Sequence, residues 1–274
     1  MMLHPMCPKR EHCIQKTELT ILSTHLDREV QVDIYHPEPY NADGYPPLLL
    51  INDGQNMDEL DLVGIMDKGF SENQFRPFVA VAIHAGEARK REYGTAGHPD
   101  YLNRGDLAGA YTRFVFEECL PLVRRSQPWP EFSEKVFAGF SLGGLSALDI
   151  VWAHPQEFSA VGVFSGSLWW RNLAQTDKAY DDDKNRIMHQ LVRHGQAAPW
   201  LRFFFETGTL DETSDRNNNG IIDSIDDTLD MIGELKAKGY SDQQIRYMEL
   251  ADGKHDIATW GRAMPEFLQW CLNS

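Results

Sequence analysis

Apolar residues recur along this chain in two rhythms. Positions 17–24 and 29–36 alternate apolar and polar around Leu26-Asp27-Arg28, the pattern of an antiparallel hairpin. The runs 47–51, 78–84, 136–140 and 160–164 are instead apolar nearly throughout, as strands buried on both faces of a parallel sheet are. Further strands are expected at 201–206 and 244–250. Between the strands, apolar spacings of three and four residues predict helices over 59–70, 106–125, 145–152, 185–194, 226–238 and 257–272. Strands that alternate with helices after an initial hairpin predict an α/β architecture. It is a mostly parallel, eight-stranded, doubly wound sheet with an antiparallel N-terminal hairpin. One domain is expected over 1–274, with 1–16 a poorly defined extension. The polar stretch 85–104 is long for a loop in a compact domain, and such loops are often functional.

The charge balance narrows the partners. With 41 acidic and 26 basic residues, the 274-residue chain carries a net charge of −15. Such a surface repels nucleic acid and anionic membranes, so neither is expected as a partner. No apolar run approaches a membrane span, and the first 15 residues lack the apolar core of a leader. A cytoplasmic protein is expected, with a previously removed leader and the oligomeric state left open. Cys7 and Cys13 are spaced for a terminal disulfide. Cys119, however, falls in a helical pattern, and free thiols are the expectation.

The chemistry concentrates at Gly139-Phe140-Ser141-Leu142-Gly143-Gly144. A buried strand precedes this G-x-S-x-G stretch and a helical pattern follows it. That is the context in which a serine hydroxyl is lifted clear of a sheet on a sharp turn. A serine needs a base to become a nucleophile, and the base needs an orienting group. On such an elbow the partners follow in the chain order serine, acid, histidine. Among ten histidines, His255 follows the last strand, on a turn expected to open with Asp252-Gly253, at the sheet edge where open α/β sheets build their sites. His84 is the next candidate, and His154, before Pro155 at a helix end, reads as structural. The acid should follow the strand 201–206. Asp211 is preferred there, with Glu212 and Asp215 as alternatives. Two backbone donors for an oxyanion are expected, one from Leu142 and one from Gly54 or Gln55 after the strand 47–51.

These pieces together resemble a known family. Leu50-Ile51-Asn52-Asp53-Gly54-Gln55, Arg91-Glu92-Tyr93, Gly139–Gly144, Ser165-Gly166-Ser167-Leu168-Trp169-Trp170 and Gly253-Lys254-His255-Asp256 with Trp260 are similar to motifs of an esterase family of α/β-hydrolases. That family includes esterase D, feruloyl esterases, mycolyltransferases and enterochelin esterases. The resemblance covers roughly residues 17–273 and implies an α/β-hydrolase fold. It also implies a small-molecule ester substrate and a serine esterase with Ser141, His255 and Asp211 as nucleophile, base and acid. It places the oxyanion donors on Leu142 and the 53–55 loop, with Asp53, Trp169, Trp170 and Arg91 as pocket residues. Of the paired tryptophans, one is expected in the pocket and the other in the core. The tryptophan pair and the spacing from His255 to Trp260 lean towards the enterochelin esterase branch. The acidic chain argues against a strongly anionic ferric catecholate, unless Arg89, Lys90, Arg91 and Arg104 form a local basic patch. Acyl transfer or thioester hydrolysis on the same residues, or a non-catalytic scaffold, are the competing readings.

No cofactor is expected for the chemistry, but 215–226 fits the calcium-loop pattern D-x-N-x-N-G. Asp215, Asn217, Asn219, Asp223 and Asp226 supply oxygens at positions one, three, five, nine and twelve, and the Ile221 carbonyl sits at seven. Gly220 permits the turn at six, whereas Asp226 is shorter than the usual glutamate. Such an ion would be structural. An asparagine-rich loop with a capping aspartate is the alternative.

Overall fold

The computed structural model describes residues 13–40, 44–129 and 131–272. The strands are β1 (Cys13–Ser23), β2 (Arg28–Glu38), β3 (Leu48–Asn52), β4 (Val79–Ile83), β5 (Lys135–Phe140), β6 (Ala160–Phe164), β7 (Arg202–Leu210) and β8 (Ile245–Lys254). They form one sheet in the order β1-β2-β4-β3-β5-β6-β7-β8. The β1–β2 and β2–β4 pairs are antiparallel, and every other pair is parallel. The expected mostly parallel sheet with an antiparallel start is therefore observed. β1 begins four residues earlier than its alternation suggested, and most of the proposed extension lies outside the described residues, as does Cys7.

The pleat explains the apolar runs. Successive side chains of a strand point to opposite faces. Leu48, Leu50, Val79, Val81, Phe203 and Phe205 pack into one core. Their neighbours Leu49, Ile51, Ala80, Ala82 and Phe204 pack into the other, under the helix Ile257–Leu272. Both faces are covered, so β3, β4 and β6 are buried at every position. Cys119 and Cys271 are buried free thiols.

Two departures from expectation shape the site. First, 85–104 is tied down rather than loose. It contains a helical turn, Arg89–Glu92, followed by Tyr93, which is wholly buried. Glu92, also buried, takes a two-pronged ion pair from Arg28, with both contacts at 2.7 Å. Second, β8 runs to Lys254 rather than stopping near Leu250. Past a bulge at Gly208 the ladder resumes, with Leu210 opposite Lys254. Asp252-Gly253 therefore lies in a strand and opens no turn. A Cβ on Gly208 would sit 2.4 Å from the Gly253 backbone, so the two chains approach closely there. The residues that follow this last pair are Asp211 and His255.

The loop that carries Asp211 continues into the helix Asp223–Ala237, which begins three residues before the predicted start. Asp227, 1% exposed, anchors it. Its Oδ1 accepts from Arg186 Nη1 at 2.7 Å and from Arg216 Nη2. Arg186 also donates to Asp230, and Arg216 to Asp182. Removing the carboxylate would leave two guanidinium groups buried beside each other. Asp227→Ala should therefore lower unfolding stability by about 3–5 kcal/mol, read as a fall in the denaturant midpoint at constant slope. A loss under about 1 kcal/mol, the range of an exposed pair, would show that the cluster is not an anchor.

Candidate active site

The elbow forms where β5 meets the helix Leu142–Ala153. Ser141 sits between them at φ 54°, ψ −121°, outside the usual regions for an L-residue. Such strain costs of order 1–3 kcal/mol and persists only when the surroundings impose it. Here the turn is so tight that a Cβ on Gly139 would lie 2.2 Å from the Gly143 carbonyl oxygen, and one on Gly143 would meet Asp53 Oδ2 at 2.7 Å. Ser141 N–H donates to the Phe164 carbonyl at 2.8 Å. Its Oγ lies 3.4 Å from Ser167 Oγ. Leu142 opens the helix, so its N–H has no partner within that helix.

A second short turn, Gly54–Asn56, faces the elbow after β3. Asn52 and Asp53 hold it in place. Asn52 Nδ2 donates to the Gly143 carbonyl at 2.8 Å, and its Oδ1 accepts from Tyr111 Oη at 2.5 Å. Asp53, in the left-handed region and 2% exposed, donates its N–H to Tyr93 Oη. Its carboxylate takes a two-pronged pair from Arg89 at 2.6 and 2.7 Å. With the Asp53 amide engaged, the amides of Gly54 and Gln55 are the next along the turn. The Gln55 side chain is used locally, on the Ala85 amide and Asp53.

His255 stands between two cavities. One, about 360 Å³, is bordered by Asp53, Gln55, Arg89, Ser141, His255 and Trp260, among others. The other, about 230 Å³, is bordered by Ser165, Trp169, Asp211, Glu212, Ser224 and His255. No hydrogen bond joins the ring to Ser141 or Asp211, and both Asp211 oxygens are buried without a partner. Catalytic hydrogen bonds are often long before substrate binds. His255 is exposed to solvent, and its ring packs edge-on against Trp260, with centroids 5.2 Å apart. Desolvation lowers the His255 pKa, while Asp211 pulls it back up. Burial raises that of Asp211, opposed by neighbouring Ser165 and the Gly208 backbone.

The remaining candidates fall as follows. His84 is bound to Asp33 at 2.8 Å, and His154 packs on Phe116. Glu212 borders the cavity of His255 and Asp211, whereas Asp215 folds its own loop. Trp169 borders that same cavity. Trp170 is wholly buried and packs under Gly94 and Gly105, so it is core and not pocket. Arg91 is also corrected. It is exposed, pairs with Asp106 and borders a separate cavity with His25 and Arg28. Arg89, two residues earlier, borders the serine's cavity instead. Two positions apart on a helical turn point to different sides, and nothing in Arg89-Lys90-Arg91 marks which one turns inward.

The loop 215–226 folds on its own side chains. Asp215 accepts from the amides of Asn219 (3.1 Å) and Gly220 (2.9 Å). Asn219 Oδ1 accepts from the Ile221 amide at 2.8 Å. The side-chain amides of Asn217 and Asn219 both reach Asp226 Oδ2. Asp223 departs from its expected role, because its Oδ1 is taken by the Arg216 amide and lies 3.3 Å from Arg216 Nη1. Among the described residues no three His, Cys, Asp or Glu side chains gather as a metal-ligand set. No described helix is long and apolar enough to cross a membrane.

Sheet order, elbow and opposing turn define an α/β-hydrolase fold. The family described as "Putative esterase" matches residues 23–271, so the chain belongs to that esterase family. It is 26% identical over 264 residues to the iron(III) enterobactin esterase of Dickeya dadantii, covering 93% of this chain and 55% of that protein. It is 23% identical over 232 residues to the uncharacterized protein YbbA of Bacillus subtilis, covering 82% of this chain and 85% of that one. The chain thus spans about half the length of the enterobactin esterase it matches. Among solved structures, the enterochelin esterase of Shigella flexneri superposes with a TM-score of 0.71 at 22% identity, over 97% of this chain and 59% of that one. A ferulic acid esterase gives 0.70 at 17%, over 96% and 98%.

The electrostatics predict a pH profile. A histidine acting as base must be neutral, and its folded pKa is lowered. kcat/KM should therefore rise with pH through an apparent pKa below the ordinary ~6.5 and reach its plateau by about pH 7. An acid limb centred clearly above ~6.5 would contradict His255 as the base.

Proposed function

We propose that the protein hydrolyses carboxylic esters through an acyl-enzyme on Ser141. The observation that carries this reading is His255, which borders the serine's cavity on one side and the aspartate's on the other. Ser141 Oγ attacks the ester carbonyl carbon as His255 takes its proton. The carbonyl oxygen becomes an oxyanion, met by the amides of Leu142 and of Gly54 or Gln55. Collapse breaks the ester C–O bond, and His255 returns the proton to the leaving alcohol. Water then repeats the sequence and frees the acid. Asp211 orients the imidazole and stabilises its charged form.

We favour an aryl or acyl ester of low charge, of the feruloyl kind, as substrate. Phe140, Ile257 and Trp260 supply apolar wall beside the serine. Three of the four members of the expected basic patch are spent internally, since Arg89 pairs with Asp53, Arg91 with Asp106 and Arg104 with Asp100, which leaves the exposed Lys90. A strongly anionic ferric catecholate would find little unpaired positive charge there. Matched p-nitrophenyl, acetyl, feruloyl and catecholate esters test this. Wild-type protein should prefer the aryl and feruloyl esters, and Ser141→Ala should lose several orders of magnitude in kcat while keeping its fold. Near-normal turnover by Ser141→Ala would end the reading, and a preference for the ferric catecholate would overturn the substrate class.

We propose in addition that 215–226 holds a structural calcium ion. The gathering of Asn217, Asn219 and Asp226 supports it, together with Gly220 at φ 88° in the turn position. The donors would be two carboxylates, amide oxygens and the Ile221 carbonyl, without Asp223. Excess calcium should raise the melting temperature and EDTA lower it, with a smaller loss of activity through a looser Asp211. Coincident melts would dismiss the ion.

A further inference from the structure

β7 ends its apolar run in an acid. Glu206 follows Phe203-Phe204-Phe205 and has none of its surface in solvent. A carboxylate in that position is costly unless it is paired or holds a proton. Its Oε1 is buried with no partner, and its Oε2 has only Ser165 Oγ, at 3.5 Å. Both oxygens of nearby Asp211 are equally bare. Ser165 lies between the two acids. It is 2% exposed, sits in the left-handed region at φ 43°, and donates its backbone N–H to the Glu206 carbonyl at 2.8 Å. Its Oγ accepts from Trp260 Nε1 at 2.9 Å, which leaves its own proton for a carboxyl oxygen. Trp260 in turn packs on His255. Glu206 thus belongs to a buried cluster wrapped around the acid and base.

We propose that Glu206 is a positioning residue: its carboxyl stays protonated and, with the Ser165 hydroxyl, steadies the Asp211 carboxylate that orients His255. The inference rests on the assignment of Ser141, His255 and Asp211 above. Two nearby carboxyls with their oxygens out of water do not both ionise readily at neutral pH, and a proton kept on Glu206 leaves a single negative charge, on Asp211, to face the imidazole. Burial first, and Asp211 second, push the Glu206 pKa up to about 8. The other groups around it do not cancel this. Arg262, on the last helix, is exposed and bound to Asp252. Tyr247 of β8 is engaged with Thr207 and Glu249. His255 and Asp256 act on Asp211, the first lowering and the second raising its pKa. When Glu206 finally ionises, Asp211 meets a like charge and His255 loses its orientation.

The test compares Glu206→Gln, which keeps the shape and a donor but cannot ionise, with Glu206→Leu. Wild-type kcat/KM should fall on the alkaline side through an apparent pKa near 8. Glu206→Leu should lose kcat with KM little changed, and Glu206→Gln should recover most of that rate without the alkaline fall. In an Asp211→Asn background, Glu206→Leu should cost little more. Infrared difference spectra in the Ser141→Ala background, with and without Glu206→Gln, supply a readout free of turnover. The band of a protonated carboxyl should be present below pH 7, vanish around pH 8, and be absent from the Gln variant. A missing band, an alkaline fall that survives in Glu206→Gln, or a fully active Glu206→Leu overturns the proposal even if ester hydrolysis stands. A protein that keeps the band but is inert to every ester overturns the hydrolase reading, and the positioning role with it.

Discussion

The conformation of Ser141 is the constraint on which the site depends. An L-residue at φ 54°, ψ −121° is held against its preference. The restraint comes from three directions. Glycines at 139 and 143 let the backbone close, the Phe164 carbonyl fixes the serine amide, and Asn52 ties the helix's first turn to the opposing loop. Each restraint is a backbone contact or a buried hydrogen bond, so the hydroxyl needs no side-chain partner to stay in place. The Asn52 contact also ties the start of the helix after Ser141 to the turn Gly54–Asn56, the two segments from which the oxyanion donors are proposed.

Charge is handled locally around that elbow. The protein is strongly acidic, yet the arginines near the serine are absorbed by acids of their own. Arg89 is spent on Asp53, where it fixes the oxyanion turn while stacking over Tyr93 at 5.0 Å. On the other side of His255 the opposite holds. Glu206 is buried and Asp211 half-buried, with no cation paired to either carboxyl. One flank of the site has its charges matched. The other does not, and on the proposal above a proton on Glu206 limits its charge.

The strands were legible because the sheet is covered on both faces and its runs are almost purely apolar. Ser141 and His255 were legible because both stand at strand ends in a recognisable order. What escaped has physical reasons. Asp252-Gly253 carries the chemistry of a turn, but pairing with β7 resumes beyond a bulge and holds it in the ladder. Trp169 and Trp170 are neighbours of equal hydrophobicity, and only the packing of Gly94 and Gly105 decides which is enclosed. Arg89 and Arg91 differ by two positions on one turn. Glu206 looked like the last residue of a strand, because an acid at that point signals nothing until a second acid is found beside it.

The central claim is that Ser141 carries an acyl group during turnover. Rapid acid quenching of the protein with p-nitrophenyl acetate, followed by digestion and mass spectrometry, reads this directly. The account predicts an acetyl adduct confined to the peptide containing Ser141, absent from Ser141→Ala and much reduced in His255→Ala. Turnover with no adduct at any time, or an adduct on another residue that persists in Ser141→Ala, would contradict it.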